Sequence, residues 1–582
     1  MKRSIPMVAT FAFAAAAQAA LCLQDVFAPE VTGVPPTYAH REMCRMDDGE
    51  IRHYGQVMRG GKVCRVYASS RDEGLSWRLF AAKEDDVGAL VRSPWSGEWL
   101  TVCSRDGVKA VRSKKGPSAG DAVFTPVEAP DFVFFRQPQP LAEKGHWICA
   151  GAAINRNPKA CPGSQCAAVL LSADDGRTWR MVALTNVVTQ ASEPKAPDAV
   201  PRWENYCCEP TVDQRRDGTL QMFVRTSTDH NWRYLSRDGG ETWTGPEKLP
   251  HFFSCNTMPT FLRLKDGRLL YFWNNTVPLP KLPSLTGQVL NQDEACGRWE
   301  TVFTNRDALH AAISEDDGET WTGFREIRLN EHRNDVDYRE LGNDPAQEHD
   351  KSVHQSQALE LPGGKVLLAA GQNSAVRRFV VFDPDWLYET TRDEDFRHGL
   401  GNVSHFLYVK GPVGGARGWA GHCTWNRVPG ARMVLDPDLP ANQREVVKLV
   451  RRRDDDLVSD LPGLVWNFPA ARKGRVEVEC RVAAGGEGFR LALSDHWFNP
   501  CDRYASEHAP AAWEVRDVPA DRWLTVAAEW SGDRVVFSVD GAKVAERTMS
   551  APPRFGLSYL HLQLLSEKED LKGVFFRRLH KE

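Results

Sequence analysis

The chain has 582 residues, of which 42% are hydrophobic and 26% charged. That length is enough for more than one domain and a large core. The 73 Lys and Arg residues nearly balance the 77 Asp and Glu residues, so the composition excludes a strongly basic protein of the kind that binds nucleic acid or a membrane surface through its net charge.

The N-terminus has the features of an export signal. Lys2 and Arg3 precede an apolar, Ala-rich run that extends to about residue 17, and Ala17-Gln18-Ala19 has the form of a cleavage site. The run is too short to span a bilayer. We therefore predict a signal peptide over residues 1–19 and a secreted or periplasmic protein without a membrane span. Lipidation at Cys22 is the alternative.

Export permits disulfides among the 14 cysteines. Cys44 with Cys64 and Cys161 with Cys166 are candidate pairs, and the sequence does not choose between pairings. Neither paired C-x-x-C nor H-E-x-x-H spacing is present. We therefore expect no metal and no other cofactor.

One octapeptide, here called the Asp box, occurs four times with the pattern S-x-D-x-G-x-[ST]-W. Its Asp can accept hydrogen bonds from turn amides, its Gly permits a positive φ, and its Trp can cover the turn. The copies are Ser70–Trp77, Ser172–Trp179, Ser236–Trp243 and Ser314–Trp321. Each lies between two apolar runs, so the pattern predicts a hairpin turn in a repeated β-unit.

Six similar segments lie between about residues 40 and 390. Each begins with an apolar strand, a D-G or G-G turn and a second strand, and four of them then reach an Asp box. They run over about 42–77, 88–116, 136–179, 209–243, 258–321 and 354–382. Short strands with regular turns predict an all-β fold. Radial repetition of such units gives a β-propeller, so we predict a six-bladed propeller over residues 20–398, with five or seven blades as alternatives.

The character of the chain changes after about residue 396, where the Asp boxes cease. Alternating strands follow at about 476–482, 523–530 and 534–539, the last of them before Asp540-Gly541. This order resembles laminin-G-like and concanavalin-like sandwiches. We therefore predict a β-sandwich (jelly-roll) domain over residues 399–582, which either binds carbohydrate or serves as a structural appendage.

Charged residues recur where the first strand of each propeller segment would face the central axis. They are Arg41, Arg136, Glu209, Arg225, Arg306 and His354. Glu and Arg are seldom buried unless they are paired. Two interpretations remain: the residues pair with one another to hold the blades together, or they form a binding site at the axis.

The Asp boxes, together with Glu209-Pro-Thr-Val, Asp217-Gly218 and Val224-Arg225-Thr226, resemble the exo-sialidase (neuraminidase) superfamily of Asp-box, or BNR-repeat, propellers. The resemblance covers about residues 35–385. It implies that three arginines bind the carboxylate of an acidic sugar, because guanidinium groups match carboxylates well. By position Arg225 and Arg306 are two of them. The third is Arg41, with Arg45 and Arg136 as alternatives.

The resemblance also assigns Glu209 as the base that activates a tyrosine nucleophile. The chain departs from the family at two places. His354-Gln355-Ser356-Gln357 stands where the tyrosine is expected, so His354 is a candidate acid or base, and Tyr338 is a candidate nucleophile from an upstream loop. The first segment lacks the family's acid/base Asp in Met58–Val63. The candidate substitutes are His53, Asp335, Asp337 and Asp350.

The predicted function is therefore a secreted exo-glycosidase that hydrolyses a terminal acidic sugar, most simply sialic acid, from glycans. Its catalytic candidates are Glu209, His354 and Tyr338, and its substrate-binding candidates are Arg41, Arg136, Arg225 and Arg306. The expected partner is a glycan. One alternative is a hydrolase or lyase for uronate-containing polysaccharides, and another is a carbohydrate-binding protein without catalysis.

Overall fold

A computed structural model of the chain describes residues 29–36, 43–83, 86–104, 106–154, 165–185, 207–226, 230–276, 306–335, 352–408, 427–452, 461–501 and 505–582. The signal peptide predicted for residues 1–19 lies outside these ranges.

The N-terminal part consists of antiparallel sheets, each formed mainly by consecutive strands. After β1 (Glu30–Gly33), the first sheet contains β2 (Met43–Arg45), β3 (Ile51–Arg59), β4 (Lys62–Ser70) and β5 (Arg78–Ala81). The second contains β6 (Val91–Arg92), β7 (Trp99–Ser104), β8 (Val108–Ser113) and β9 (Val123–Pro126). The third contains β10 (Phe132–Val133), β11 (Gln139–Pro140), β12 (Trp147–Ile154), β13 (Gln165–Ser172) and β14 (Arg180–Ala183).

The same plan continues through three further sheets. The fourth contains β15 (Cys208–Gln214), β16 (Leu220–Arg225), β17 (His230–Ser236) and β18 (Thr244–Phe253). The fifth contains β19 (Thr260–Arg263), β20 (Leu269–Trp273), β21 (Ala308–Ser314) and β22 (Thr322–Leu329). The sixth contains β23 (Gln357–Glu360), β24 (Val366–Ala370) and β25 (Arg378–Phe382), with β1 as its fourth strand.

The first strands of these sheets lie next to one another around a common centre. Phe261 N of β19 donates to Thr211 Oγ1 of β15 at 2.9 Å, and Thr260 Oγ1 donates to Ser356 O beside β23 at 3.1 Å. Gln137 Nε2, in the third sheet, donates to Met43 O of β2 at 3.2 Å. These contacts join sheets along and across a ring, which is the arrangement of a β-propeller.

Each Asp box connects the third and fourth strands of its sheet and fastens its own turn. In the box at Ser236–Trp243, Asp238 Oδ1 accepts from Ser236 Oγ at 2.8 Å and from Thr242 N at 2.9 Å. Trp243 Nε1 donates to Gly240 O at 2.9 Å. The other three boxes repeat these bonds. The predicted hairpin turn is therefore confirmed.

The box glycines also determine how closely neighbouring sheets pack. A Cβ on Gly240 would lie 2.9 Å from Leu171 of the third sheet, and one on Gly176 would lie 3.2 Å from Leu100 of the second. A Cβ on Gly74 would lie 3.2 Å from Leu367 of the sixth sheet. Glycine therefore serves both the positive φ of the turn and the contact with the preceding sheet.

The sixth sheet is completed by the N-terminal end of the described chain. β1 pairs antiparallel with β25, with Glu30 opposite Val381. In four of the other sheets an Asp box joins the last two strands directly. Here the fourth strand comes from the opposite end of the propeller sequence, so the sixth sheet has no such connection.

The C-terminal part begins pairing at β26 (Arg392–Glu394), which lies beside β40. An eight-stranded sheet contains β26 with β30 (Ala431–Leu435), β31 (Glu445–Arg451), β33 (Lys473–Val482), β36 (Leu524–Ser531), β37 (Arg534–Val539), β38 (Ala542–Thr548) and β40 (Asp570–Lys581). A five-stranded sheet contains β27 (Val403–Ser404), β32 (Gly463–Ala471), β34 (Phe489–Ser494), β35 (Ala511–Val515) and β39 (Leu557–Leu564). β28 (Phe406–Tyr408) pairs with β29 (Arg427–Pro429).

The two large sheets enclose one apolar core that includes Trp466, Phe468, Phe537 and Phe576. The strands predicted near 476–482, 523–530 and 534–539 are confirmed as β33, β36 and β37. Helical structure in the described residues is limited to α1 (Ala505–His508) and the 3-10 turns Pro362–Gly364, Pro384–Tyr388 and Ala441–Gln443. The all-β prediction is therefore confirmed. No helix in this part of the chain is long and apolar enough to cross a bilayer.

The sandwich docks on the fourth and fifth sheets through buried polar contacts. Asn467 of β32 accepts from Glu326 N at 3.0 Å and donates to Phe324 O at 3.1 Å. Trp497 N donates to Asn275 O at 3.0 Å. The His496 ring stacks on Phe253 with 3.7 Å between centroids.

One candidate disulfide is wrong. Cys44 lies on β2 and Cys64 on β4, and β3 separates these strands in the sheet. Cys64 is a free thiol. A disulfide needs Cα atoms within about 7 Å, which strands two positions apart do not provide. Cys161 lies outside the described residues.

Candidate functional site

The inner ends of four consecutive sheets share an uncommon backbone conformation. Phe134, Glu209, Asn256 and Gln355 have φ values of 50°, 43°, 60° and 58°. Glu209, Asn256 and Gln355 lie at or just before the first strands of the fourth, fifth and sixth sheets, and Phe134 directly follows the first strand of the third. Left-handed conformations are unfavourable for bulky non-glycine residues, and such residues cluster at functional sites. The three polar members of the set also lie next to predicted site residues.

Glu209 and Arg225 form an ion pair across adjacent strands of the fourth sheet. Arg225 Nη1 lies 2.5 Å from Glu209 Oε2, and each side chain is 12% exposed. The register between β15 and β16 is irregular between Cys208 and Thr211, so Glu209 departs from the regular strand geometry. The pair agrees with the rule that charged groups enter a protein interior with a partner.

The second arginine predicted to bind the sugar carboxylate reaches the Glu209–Arg225 pair from the fifth sheet. Arg306 is 1% exposed, and its Nη2 donates to Asn256 O at 2.7 Å. Arg225 Nε donates to the Asn256 side-chain oxygen at 3.0 Å. The structure therefore brings Arg225 and Arg306 together on one residue, Asn256.

The side chain that the structure places against Glu209 from the sixth sheet is Gln355. Its Nε2 donates to Glu209 Oε1 at 3.5 Å. The neighbouring His354, which the sequence analysis selected as acid or base, is 1% exposed, and its carbonyl accepts from Gly371 N at 2.7 Å. Neither Gln355 nor Asn256 was among the predicted site residues, because the sequence marks them only by their position just ahead of an inner strand.

Arg136 binds the propeller backbone. Its Nε donates to Pro210 O at 3.1 Å, its Nη1 to Thr260 Oγ1 at 3.2 Å, and its Nη2 to Pro259 O. These acceptors belong to the fourth and fifth sheets, while Arg136 belongs to the third. The contacts correspond to the structural interpretation, in which an arginine holds the inner ends of the sheets together.

The remaining candidates are dispersed. Arg41, Tyr338, Asp337 and Asp350 lie outside the described residues. His53 is buried and its Nε2 lies 3.1 Å from Arg377 Nη2. Asp335 Oδ2 lies 2.8 Å from His332 Nδ1, and the Asp335 side chain is about half exposed. Arg45 Nη2 donates to Glu360 O at 2.9 Å.

The described residues at the axis therefore combine two guanidinium groups, one carboxylate and two side-chain amides. The set of Arg225, Arg306 and Glu209 carries an excess of one positive charge, which suits an anionic ligand. Burial raises the pKa of the nearby Cys255 thiol, so that side chain is an uncharged neighbour. In the described part of the chain, no group of three or more His, Cys, Asp or Glu residues has the arrangement to hold a metal ion.

The fold and the Asp boxes define an Asp-box propeller joined to a β-sandwich. Residues 95–349 match the family of BNR repeat-like domains, so the chain is similar to that family over this part. The match includes Arg136, Glu209, Arg225 and Arg306. The predicted resemblance to BNR-repeat propellers is confirmed over these residues.

Solved structures with a similar chain course include the sialidase of Trypanosoma rangeli, at 13% identity and a TM-score of 0.33, covering 95% of this chain and 91% of that one. The same sialidase in complex with sialic acid aligns at 13% identity and a TM-score of 0.32, covering 94% of each chain. A protein of unknown function from Dyadobacter fermentans aligns at 16% identity and a TM-score of 0.34, covering 61% of this chain and 96% of that one. No curated protein sequence matches the chain.

Proposed function

We propose that the chain is an exported exo-glycosidase that releases a terminal acidic sugar from a glycan, with sialic acid as the first substrate to test. The observation that supports this function is the convergence of Arg225 and Arg306 on Asn256, beside the Glu209 carboxylate. Buried guanidinium groups on rigid strands are suited to binding a planar carboxylate.

The proposed reaction needs three roles. The arginines hold the sugar carboxylate and orient the ring, because fixed donors in a buried site cost no reorganisation during reaction. Glu209 serves as the base that takes a proton from the attacking group. Tyr338 is the candidate attacking group, whose oxygen bonds to the anomeric carbon as the glycosidic bond breaks, and His354 is the candidate acid that protonates the leaving oxygen. Water then hydrolyses the bond between sugar and tyrosine, which releases the sugar and restores the phenol.

The second candidate function is carbohydrate binding without turnover. The observation that favours it is the identity of the side chain against Glu209. Gln355 donates an amide hydrogen to that carboxylate, and a carboxamide is not among the nucleophiles that form glycosyl intermediates. In this alternative the same arginines bind the acidic sugar, and Glu209 serves only to neutralise Arg225.

The test combines turnover and binding with one site variant and one matched control. Arg225→Gln removes a guanidinium that pairs with Glu209. Arg263→Gln removes a guanidinium that pairs with Asp213 at 2.5 Å and Asp317 at 2.6 Å. Arg263 also joins the fourth and fifth sheets, but it lies away from Arg225, Arg306 and Glu209. Sialyl and uronyl conjugates are incubated with each full-length protein, and binding of the free sugar acids is measured by calorimetry.

Release by the wild type and by Arg263→Gln, with a loss of at least about a hundredfold in Arg225→Gln, supports the glycosidase. Binding that depends on Arg225 but gives no release over long incubation supports the second candidate. Undiminished release by Arg225→Gln would contradict the proposed role of the arginine. Neither release nor binding by the wild type would refute both functions.

A further inference from the structure

The side-chain amide of Asn256 has its orientation fixed by its arginine partner. Arg225 Nε, which can only donate, lies 3.0 Å from Asn256 Oδ1. The oxygen must face the guanidinium, because an amide nitrogen there would oppose one donor with another. Nδ2 consequently points elsewhere. Asn256 is 2% exposed, and its Nδ2 has no hydrogen-bond partner among the described residues.

Gln355 is oriented in the same way by a carboxylate. Its Nε2 faces Glu209 Oε1 at 3.5 Å, and an ionised carboxylate can only accept. The amide oxygen is therefore directed away from Glu209. Gln355 is 5% exposed, and its Oε1 is without a hydrogen-bond partner in the part of the chain that the structure describes.

The unpartnered atoms of Asn256 and Gln355 are of opposite kinds, one a hydrogen-bond donor and the other an acceptor. Asn256 offers a donor beside Arg225, and Gln355 offers an acceptor beside Glu209. A buried polar atom without a partner costs about 1–3 kcal/mol, and a positive φ at a residue such as Gln adds a cost of similar order. Gln355 carries both costs, whereas Asn256 carries chiefly the first, because Asn enters the left-handed region more readily. Such costs persist at sites where a ligand supplies the missing bonds.

We propose that Asn256 and Gln355 are the specificity-determining residues of the axial site. Asn256 Nδ2 donates to the carboxylate of an acidic sugar, next to Arg225. Gln355 Oε1 accepts from a hydroxyl group of the same sugar, next to Glu209. The inference rests on the proposed function and adds the ligand class: a sugar acid with a free hydroxyl near its carboxylate.

The pattern selects against two related classes of ligand. A neutral sugar offers hydroxyl donors for Gln355 but no anionic acceptor for Asn256 and Arg225. A small inorganic anion such as sulfate offers acceptors but no donor for Gln355. Leaving a buried acceptor or donor unmatched is the strongest source of discrimination in a polar site.

The test uses near-isosteric variants that remove the hydrogen-bonding atom assigned to the ligand. Asn256→Asp keeps the oxygen that accepts from Arg225 and replaces the donor Nδ2 by an acceptor. Gln355→Met removes the acceptor Oε1 at a nearly unchanged side-chain length. Gln221→Met is the matched control, because Gln221 Nε2 also donates to a buried carboxylate, Asp213, at 3.0 Å, but lies in the body of the fourth sheet. Thermal unfolding of each protein shows whether it is folded at the assay temperature.

The probes are N-acetylneuraminic acid, glucuronic acid, its methyl ester, glucose and sulfate, titrated into the full chain by calorimetry. We expect a sugar acid to bind the wild type at least about tenfold more tightly than its ester, glucose or sulfate. We expect Asn256→Asp and Gln355→Met to weaken that binding about ten- to a hundredfold. Gln221→Met should bind as the wild type does, even if it is less stable.

The outcomes separate this inference from the function on which it rests. If the wild type binds a sugar acid and Arg225→Gln does not, while both amide variants bind normally, the inference is wrong and the function stands. Equal weakening of binding in Gln221→Met would show a general loss of structure and would also overturn it. If the wild type binds none of the sugar acids, the proposed function and this inference fail together.

Discussion

His310 connects the propeller to the sandwich through a chain of hydrogen bonds that requires a neutral ring. Its Nδ1 accepts from Asn275 N at 3.0 Å, so the ring proton lies on Nε2, which donates to the Tyr559 hydroxyl. That hydroxyl donates to Glu326 Oε1 at 2.7 Å. A second ring proton, on Nδ1, would point at the N–H of Asn275 and replace this hydrogen bond by two facing donors. Burial lowers the pKa of His310 to about 3.

The lowered pKa makes stability depend on pH with a definite sign. Histidine in the unfolded chain takes up a proton near pH 6.5, whereas folded His310 does so near pH 3. Its contribution is therefore fully present above pH 6.5 and is lost as the pH falls. Between about pH 7 and about pH 5 the loss is about 2 kcal/mol for one such residue. Burial also lowers the pKa values of His405 to about 3 and of His561 to about 4, so they contribute with the same sign.

The perturbation is His310→Asn, which keeps an acceptor for Asn275 N but removes the titrating ring. The free energy of unfolding is measured with urea, by tryptophan fluorescence, at about pH 7 and about pH 5. Leu560→Ala is the control, because Leu560 is fully buried in the sandwich core and its loss costs about 2–5 kcal/mol at any pH.

The stability difference between wild type and His310→Asn should be about 2 kcal/mol smaller at pH 5 than at pH 7. The difference between wild type and Leu560→Ala should be the same at both. If the His310→Asn difference is also independent of pH, then folded His310 is protonated like a histidine in water, and the hydrogen-bond chain described above is wrong.

Two further substitutions test the fold. Asp238→Ala removes the acceptor for Ser236 Oγ and for the amide and hydroxyl of Thr242. We therefore expect the free energy of unfolding, measured by thermal unfolding, to fall by about 1–3 kcal/mol. An equal loss in Asp217→Ala, which lies in an exposed turn outside the boxes, would contradict the special role of the box. Gly371→Ala would place a Cβ 2.6 Å from Arg377 Cα at a φ of +113°. Gly371→Ala should lower the free energy of unfolding by about 3 kcal/mol or more. Gly49→Ala should lower it by about 1 kcal/mol, because Gly49 also has a positive φ but open space around it. Equal melting temperatures for the two variants would show that the close contact with Arg377 is unimportant.

The turns and strands that depend on local interactions could be predicted from the sequence alone. An Asp box contains within eight residues all the donors and acceptors that fasten its turn, as the bonds of Asp238 show, so its pattern located the end of the third strand in four sheets. Period-two alternation identified β33, β36 and β37 for the same reason. The arginines at the inner strands were visible because charged residues are unusual there.

The contacts that join distant parts of the chain could be recognised only in the tertiary structure. The pairing of β1 with β25 links residues about 350 positions apart, and the docking of Tyr559 on Glu326 joins the two domains. Arg136 was equally plausible as a binding or a structural residue, and only its three acceptors on other sheets distinguish these roles. Asn256 and Gln355 lack a local sequence signature, because the orientation of their side chains depends on Arg225 and Glu209, which lie on strands of another sheet.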